Sequence, residues 1–147
     1  MKIIKTGLVK VLFSLFLLTM VASIVPVQAL AFKMNVNNTY PHNLHVALLD
    51  WNDSVGDWRC HGWFTVEPYS NRVLNIPSST EGTNVYVYAH TSEASFGGDG
   101  YASAIPRMVV NEAFDYYNPN YTPRGKNPRS VLFVPYEIEN GYVDFTP

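Results

Sequence analysis

Beyond residue 31, apolar and polar positions alternate along most of the chain with a period of two, and turn-forming residues interrupt the alternation about every dozen residues or fewer. Phe32, Met34 and Val36 form the first such run, closed by Asn37-Asn38. In Asn43–Trp51 one face carries Leu44, Val46 and Leu48 while the other carries His45, Ala47, Leu49 and Trp51, so both faces of this strand are expected to be at least partly covered. A turn of Asn52, Asp53, Ser54 and Gly56 leads into Asp57–Val66, the pattern of a β-hairpin. Gly62 within that third strand signals a bulge or a close backbone approach. Pro68 stops the strand, Arg72–Ile76 makes a short fourth, and Ser78–Gly82 reads as a polar turn.

The most regular segment is Thr83–Thr91, where Val85, Val87 and Ala89 alternate with Tyr86, Tyr88 and His90, and it is expected to be central. Gly97, Gly98 and Gly100 mark a turn, and Arg107–Tyr117 admits a strand or a short helix, of which a strand is expected. Asn118–Pro128 carries three prolines without apolar periodicity and reads as a long loop. Val131–Ile138 and Tyr142–Phe145 complete the chain as strands around Asn140-Gly141. Short strands with no long amphipathic helix predict an antiparallel all-β sandwich, with a barrel-like variant as the alternative, in a single domain over residues 32–147.

The first thirty residues follow a different pattern. Lys2, Lys5 and Lys10 precede the uncharged apolar run Val11–Val25, and Pro26 ends any helix there. This is the form of a secretory signal peptide over residues 1–31, with cleavage near Ala29 or Ala31. The apolar run is shorter than the roughly 20 residues a spanning helix needs, so no membrane insertion is expected after cleavage.

Removing that leader leaves 7 basic against 12 acidic side chains and takes the formal charge from −2 to −5. An acidic domain is a poor candidate for nucleic-acid binding. Cys60 is the sole cysteine of the chain, so it has no intramolecular disulfide partner and stability must come from packing. Ten tyrosines and three tryptophans supply large areas for burial and faces able to stack on a ligand.

Three features between Asn38 and Ala89 resemble the domain of unknown function 1036 family, a group of small, often exported bacterial domains. They are Asn38-Thr39 ahead of a strand containing Val46-Ala47, the run Gly62-Trp63-Phe64-Thr65-Val66-Glu67-Pro68, and the aromatic strand Val85-Tyr86-Val87-Tyr88-Ala89. The resemblance covers about half of the chain beyond the leader and implies an exported β-domain. It transfers no catalytic residue.

The chain contains no Gly-x-Ser-x-Gly pentapeptide, and Gly97-Gly98-Asp99-Gly100 lacks the Lys and Ser or Thr of a phosphate loop. Cys60 and His61 are neighbours on a strand and so point to opposite faces. Cys60 is read as a small buried hydrophobe. Asp50, Asn52, Ser54 and Asp57 invite a calcium reading, but Val55 and His61 occupy the positions where the calcium-loop template needs Gly and Glu. His45, His61 and His90 could supply imidazole ligands, yet their spacing follows no metal motif. No cofactor and no metal is expected.

What remains is a non-catalytic binding or structural module of the bacterial envelope or extracellular space, taking a glycan or an envelope protein. The candidate contact residues are Trp51, Trp58 and Trp63 around one hairpin, and Tyr116, Tyr117, Tyr121 and Arg124 in or near the long loop, where Lys126 and Arg129 add further basic side chains. One alternative is a small secreted hydrolase, or an inhibitor of one, which would gather His45, His61 and His90 beside a carboxylate. The other is a calcium-stabilised adhesion module.

Overall fold

The computed structural model describes residues 31–77, 84–98 and 100–147. The expected leader, apart from Ala31, and the expected turn over Ser78–Gly82 lie outside the described residues. Within them the chain runs through β1 (Phe32–Asn37), β2 (Leu44–Asn52), β3 (Asp57–Val66), β4 (Asn71–Ile76) and β5 (Asn84–His90). It continues through β6 (Ser95–Phe96), β7 (Ile105–Val109), β8 (Phe114–Tyr116), β9 (Arg129–Glu137) and β10 (Tyr142–Phe145). No helix occurs among the described residues. The strands form a small sheet in the order β10-β1-β4 and a large one in the order β7-β9-β5-β2-β3-β8, with β6 added to β5.

The period-two pattern explains the first core. Phe32, Met34 and Val36 of β1, Leu74 and Ile76 of β4, and Val143 and Phe145 of β10 turn inward from the small sheet. They meet Leu44, Val46 and Leu48 of β2, Val66 of β3, and Val85, Val87 and Ala89 of β5. Burying each larger aliphatic or aromatic side chain here contributes about 1.5–3 kcal/mol relative to exposure. Asn38, buried just after β1, donates to the carbonyls of Val66 and Glu67 at 3.1 and 2.9 Å and so ties the end of β1 to the end of β3.

The other face of the large sheet encloses a second core of Ala47, Leu49, Cys60, Tyr88, Val109, Val110, Phe114, Tyr116 and Phe133. The sheet curls around these side chains into a half-barrel. Its outermost strands, β7 and β8, are joined through residues 110–113, and the Tyr116 hydroxyl donates to the Met108 carbonyl at 2.7 Å across the seam. Two cores on opposite faces explain why Val46 to Asp50 are buried without a break, as the two-faced reading of this strand anticipated. The fold is thus a sandwich on one side of the large sheet and barrel-like on the other.

Gly62 is where the large sheet bends. Ala47 pairs with Gly62 while Val46 pairs with Phe64, so Trp63 is the extra residue of a bulge. A Cβ on Gly62 would stand 2.9 Å from the Ala47 Cβ and 3.3 Å from the Phe114 ring, so both expectations for this glycine hold at once. β5 lies between β9 and β2, the central position its pattern indicated.

Three details of the second half depart from the sequence reading. Arg107–Tyr117 is two strands, β7 and β8, on opposite ends of the large sheet, because residues 110–113 cross the seam between them. Asn140 and Gly141 do take the positive φ angles, 51° and 76°, of a tight turn. After that turn, however, β10 leaves β9 and runs parallel to β1 in the small sheet, which places Val143 and Phe145 in the first core. The short β6 had no pattern of its own in the sequence and pairs with the end of β5.

Candidate functional site

The register of the strands sets out the inner face of the half-barrel. His45, Ala47, Leu49 and Trp51 of β2 stand beside His90, Tyr88 and Tyr86 of β5, and beside Gly62, Cys60 and Trp58 of β3. Ala47, Leu49 and Cys60 are sealed from solvent, so the accessible chemistry lies at the two ends. These ends are about 20 Å apart along β2.

At the Trp51 end, Trp51 and Trp58 meet edge to face at 5.8 Å, and Trp58 meets Tyr86 in the same manner at 5.4 Å. The Trp51 indole N–H donates to Asp53 at 2.8 Å. All three rings are half-buried.

The His45 end is built around the bulge. Trp63, released from the pairing pattern, turns inward and donates its indole N–H to the Val110 carbonyl at 2.9 Å. Its ring stands edge to face with His90 at 4.9 Å and Phe114 at 5.4 Å, and tilted to Tyr88 at 6.1 Å. His45 and His90, directly opposed across β2 and β5, have ring centroids 5.2 Å apart. The His90 Nδ1 donates to the Thr91 carbonyl at 3.1 Å, which leaves Nε2 as the acceptor nitrogen of the neutral ring. Burial holds His90 below the ordinary imidazole range; the Thr91 bond opposes this, while His45 and Arg129 add to it.

Arg129 completes this end. At the start of β9 it shares the inner phase of Val131 and Phe133, two and four residues on. Its guanidinium carbon lies 5.9 Å from the centroid of the Trp63 ring, one terminal nitrogen donates to Asn111 Oδ1 at 3.0 Å, and it stands against the Tyr88 hydroxyl. Among the described residues no carboxylate lies within ion-pair distance of it. Arg59, by comparison, is paired with Asp115.

The remaining titratable groups lie elsewhere. His61 falls on the outer face of the large sheet, where its Nε2 meets Asp50 Oδ1 at 2.5 Å in a buried pair beside Arg59 and Asp115. The three histidines singled out in the sequence therefore divide between two faces. The two that do meet, His45 and His90, have no carboxylate in ion-pair contact among the described residues, whereas the hydrolase reading required one. Cys60 faces inward as expected of a residue next to His61, and burial pushes its thiol up to about 12, so no thiolate forms near neutral pH.

The oxygen atoms considered for calcium are turned to protein donors. Asp50 serves His61, Asn52 Oδ1 accepts from the Ser54 amide at 3.0 Å, and Asp57 accepts from the Trp58 amide at 2.7 Å. Among the described residues no group of three or more His, Cys, Asp or Glu side chains is placed to hold a metal.

The sequence-derived candidates thus separate into three places. Trp51 and Trp58 share one end and Trp63 occupies the other. Tyr116 is a buried residue of β8, within the segment expected as strand, with Tyr121 against it at 5.5 Å, and the Tyr117 hydroxyl accepts a hydrogen bond from the Asn52 side-chain amide at 3.0 Å. Tyr121, 42% exposed, and Arg124 lie at the surface of the loop. Sequence reasoning did not single out Tyr88 or Asn111, and it placed Arg129 beside the loop tyrosines rather than against Trp63. The available signal was the phase of Arg129, in step with Val131 and Phe133.

Comparison with known proteins returns no relative: no family model, no curated protein and no solved structure matches the chain. The likeness to the domain of unknown function 1036 family rests on the motif residues alone.

Proposed function

We propose that this protein is an exported, non-catalytic binding module of the bacterial envelope or extracellular space, and that it takes a glycan at the His45 end of the half-barrel. The observation that carries the reading is Trp63, whose ring is held by the Val110 carbonyl in a rigid aromatic setting beside amphipathic His45, His90 and Tyr88. A sugar ring offers an apolar face to such rings and hydroxyls to the polar edges around them. A rigid anchor loses little entropy on binding. The motif likeness and the leader pattern support the exported part of the reading.

A glycan is favoured over an extended peptide by the sheet topology. Peptides commonly bind by adding a strand to an open edge, whereas β2, β5 and β3 are interior strands. The test is retention of the purified protein by soluble cell-wall glycan fragments, read by affinity electrophoresis, for the unmodified chain and for Trp63→Ala and Tyr121→Ala. Loss of more than about tenfold in affinity for Trp63→Ala, with thermal melting showing a folded protein, is expected. Absence of retention of the unmodified protein by any glycan would overturn the reading. The hydrolase alternative keeps one support, the buried Asp50–His61 pair, and turnover of ester or glycoside substrates that disappears in a folded His61→Gln variant would establish it instead.

A further inference from the structure

Arg129 is a half-buried guanidinium in an acidic chain, and its surroundings hold it in place without neutralising it. The Trp63 ring supports it, Asn111 fixes one terminal nitrogen, and the Tyr88 hydroxyl borders it. All three partners are formally uncharged. A guanidinium has five N–H donors in a planar fork, and the hydrogen bonds to Asn111 and the Tyr88 hydroxyl leave the remaining donors for another group. Two ion pairs lie on the other face of the large sheet, Arg59 with Asp115 and His61 with Asp50, and a third joins His42 ahead of β2 to Glu93 after β5, so carboxylates are used as counter-charges elsewhere in the fold.

We propose that the His45 end of the half-barrel is a carboxylate site, in which the fork of Arg129 receives the carboxylate of an acidic sugar while the rings of Trp63, His90 and His45 border the sugar itself. This rests on the glycan-binding reading above and narrows it to a substrate class, sugars bearing a carboxyl group. The geometry suits a carboxylate better than a neutral hydroxyl, because two parallel N–H···O bonds match the guanidinium edge and each is charge-assisted. The neutral imidazole of His90 puts no competing negative charge at the site. As pH falls, protonation of His90 adds positive charge on β5 beside Arg129, with the His45, Trp63 and Tyr88 rings as its other neighbours and the His42–Glu93 pair just ahead of β2 and just after β5. Affinity for an anionic ligand therefore rises on mild acidification.

The test is calorimetric titration of the purified protein with a galacturonate trimer, a galactose trimer and a short peptide with a free C-terminal carboxylate, at low salt and at two pH values either side of the histidine range. The expected result is binding of the galacturonate trimer in preference to the galactose trimer, stronger at the lower pH. Arg129→Gln should weaken the galacturonate trimer roughly tenfold to a hundredfold and leave the galactose trimer nearly unchanged. Arg129→Lys, which keeps the charge but loses the fork, should fall between the two. Should either variant unfold, Asn111→Ala gives the second reading, since releasing the fixed nitrogen should weaken only the acidic trimer. Equal binding of both trimers, unaffected by Arg129→Gln, would overturn the carboxylate site and leave the glycan reading standing. Binding of neither trimer would overturn both, and selective binding of the peptide would replace the acidic sugar by a protein terminus.

Discussion

Replacing Gly62 by Ala tests the bend of the large sheet most directly. The added methyl would stand 2.9 Å from the Ala47 Cβ, 3.2 Å from the Ala47 Cα and 3.3 Å from the Phe114 Cζ. Two of these three atoms belong to the partner strand near its backbone, so they cannot withdraw by a change of rotamer. Relief requires β2 and β3 to separate or Phe114 to leave the second core. Overpacking of this kind costs about 1–3 kcal/mol. Against it stands a gain of about 0.4–1 kcal/mol from the stiffer unfolded chain. The net loss should lie between about 0 and 2.6 kcal/mol, or a fall in Tm of up to roughly 10 °C for a domain of this size. Thermal unfolding followed by near-ultraviolet circular dichroism measures it, and a raised Tm refutes the packing account. A double-mutant cycle sharpens the test, because Ala47→Gly removes the nearest atom. In the presence of Gly62→Ala that second substitution should recover part of the loss, with a coupling of about 0.5–3 kcal/mol. Strict additivity would mean that the Ala47 methyl is not what the new side chain meets.

Cys60 should be inert to thiol reagents in the folded protein at pH 8 and reactive once urea unfolds it, and rapid labelling of the native state would contradict its burial. Its thiol is raised from 9.0 to about 12 in the folded state. The protonated form is therefore favoured by folding, so this contribution is present below pH 9 and is lost as pH rises towards 12, which denaturation midpoints measured from pH 8 to 12 should show as a slope reduced in Cys60→Ala. His90 has the opposite sense. Its lowered folded value means the contribution is full above the ordinary imidazole range and declines as pH falls through it, so His90→Gln should flatten urea stability between pH 7.5 and 5.5, a range set by the imidazole reference value of about 6.5. Asp50→Ala leaves the buried His61 without its hydrogen-bond partner and should cost about 1–3 kcal/mol in urea unfolding; a neutral effect would show that the pair contributes nothing to the fold.

Much of the fold was legible because the alternation of side chains states which strand faces are buried. Val85, Val87 and Ala89 against Tyr86, Tyr88 and His90 announced a central strand, and β5 lies between β9 and β2 with a core on each face. Pattern could not reveal which strands pair across long separations. Nothing local to Tyr142–Phe145 distinguishes pairing with β9 from parallel pairing with β1, since either choice buries Val143 and Phe145. The candidate site was less legible for a related reason. The bulge at Gly62 resets the phase of β3, so His61 and Phe64 share the outer face and Trp63 turns inward, although simple alternation would separate His61 from Phe64. Arg129 meets Trp63 across 65 intervening positions, a juxtaposition made by sheet curvature rather than by spacing.

That curvature also bears on how the molecule keeps to itself. A flat six-strand ladder would end in two rows of unpaired backbone donors and acceptors, each a template for a foreign strand. Here the short link through residues 110–113 turns the two outermost strands towards each other, and Tyr116 spans the remaining gap. Among the described residues the longer exposed ladders are then those of β4 and β10 in the small sheet. If copies of this protein ever join strand to strand, at high concentration or on partial unfolding, the joining should begin at Asn71–Ile76 or Tyr142–Phe145, leaving the aromatic interior of the half-barrel out of the contact.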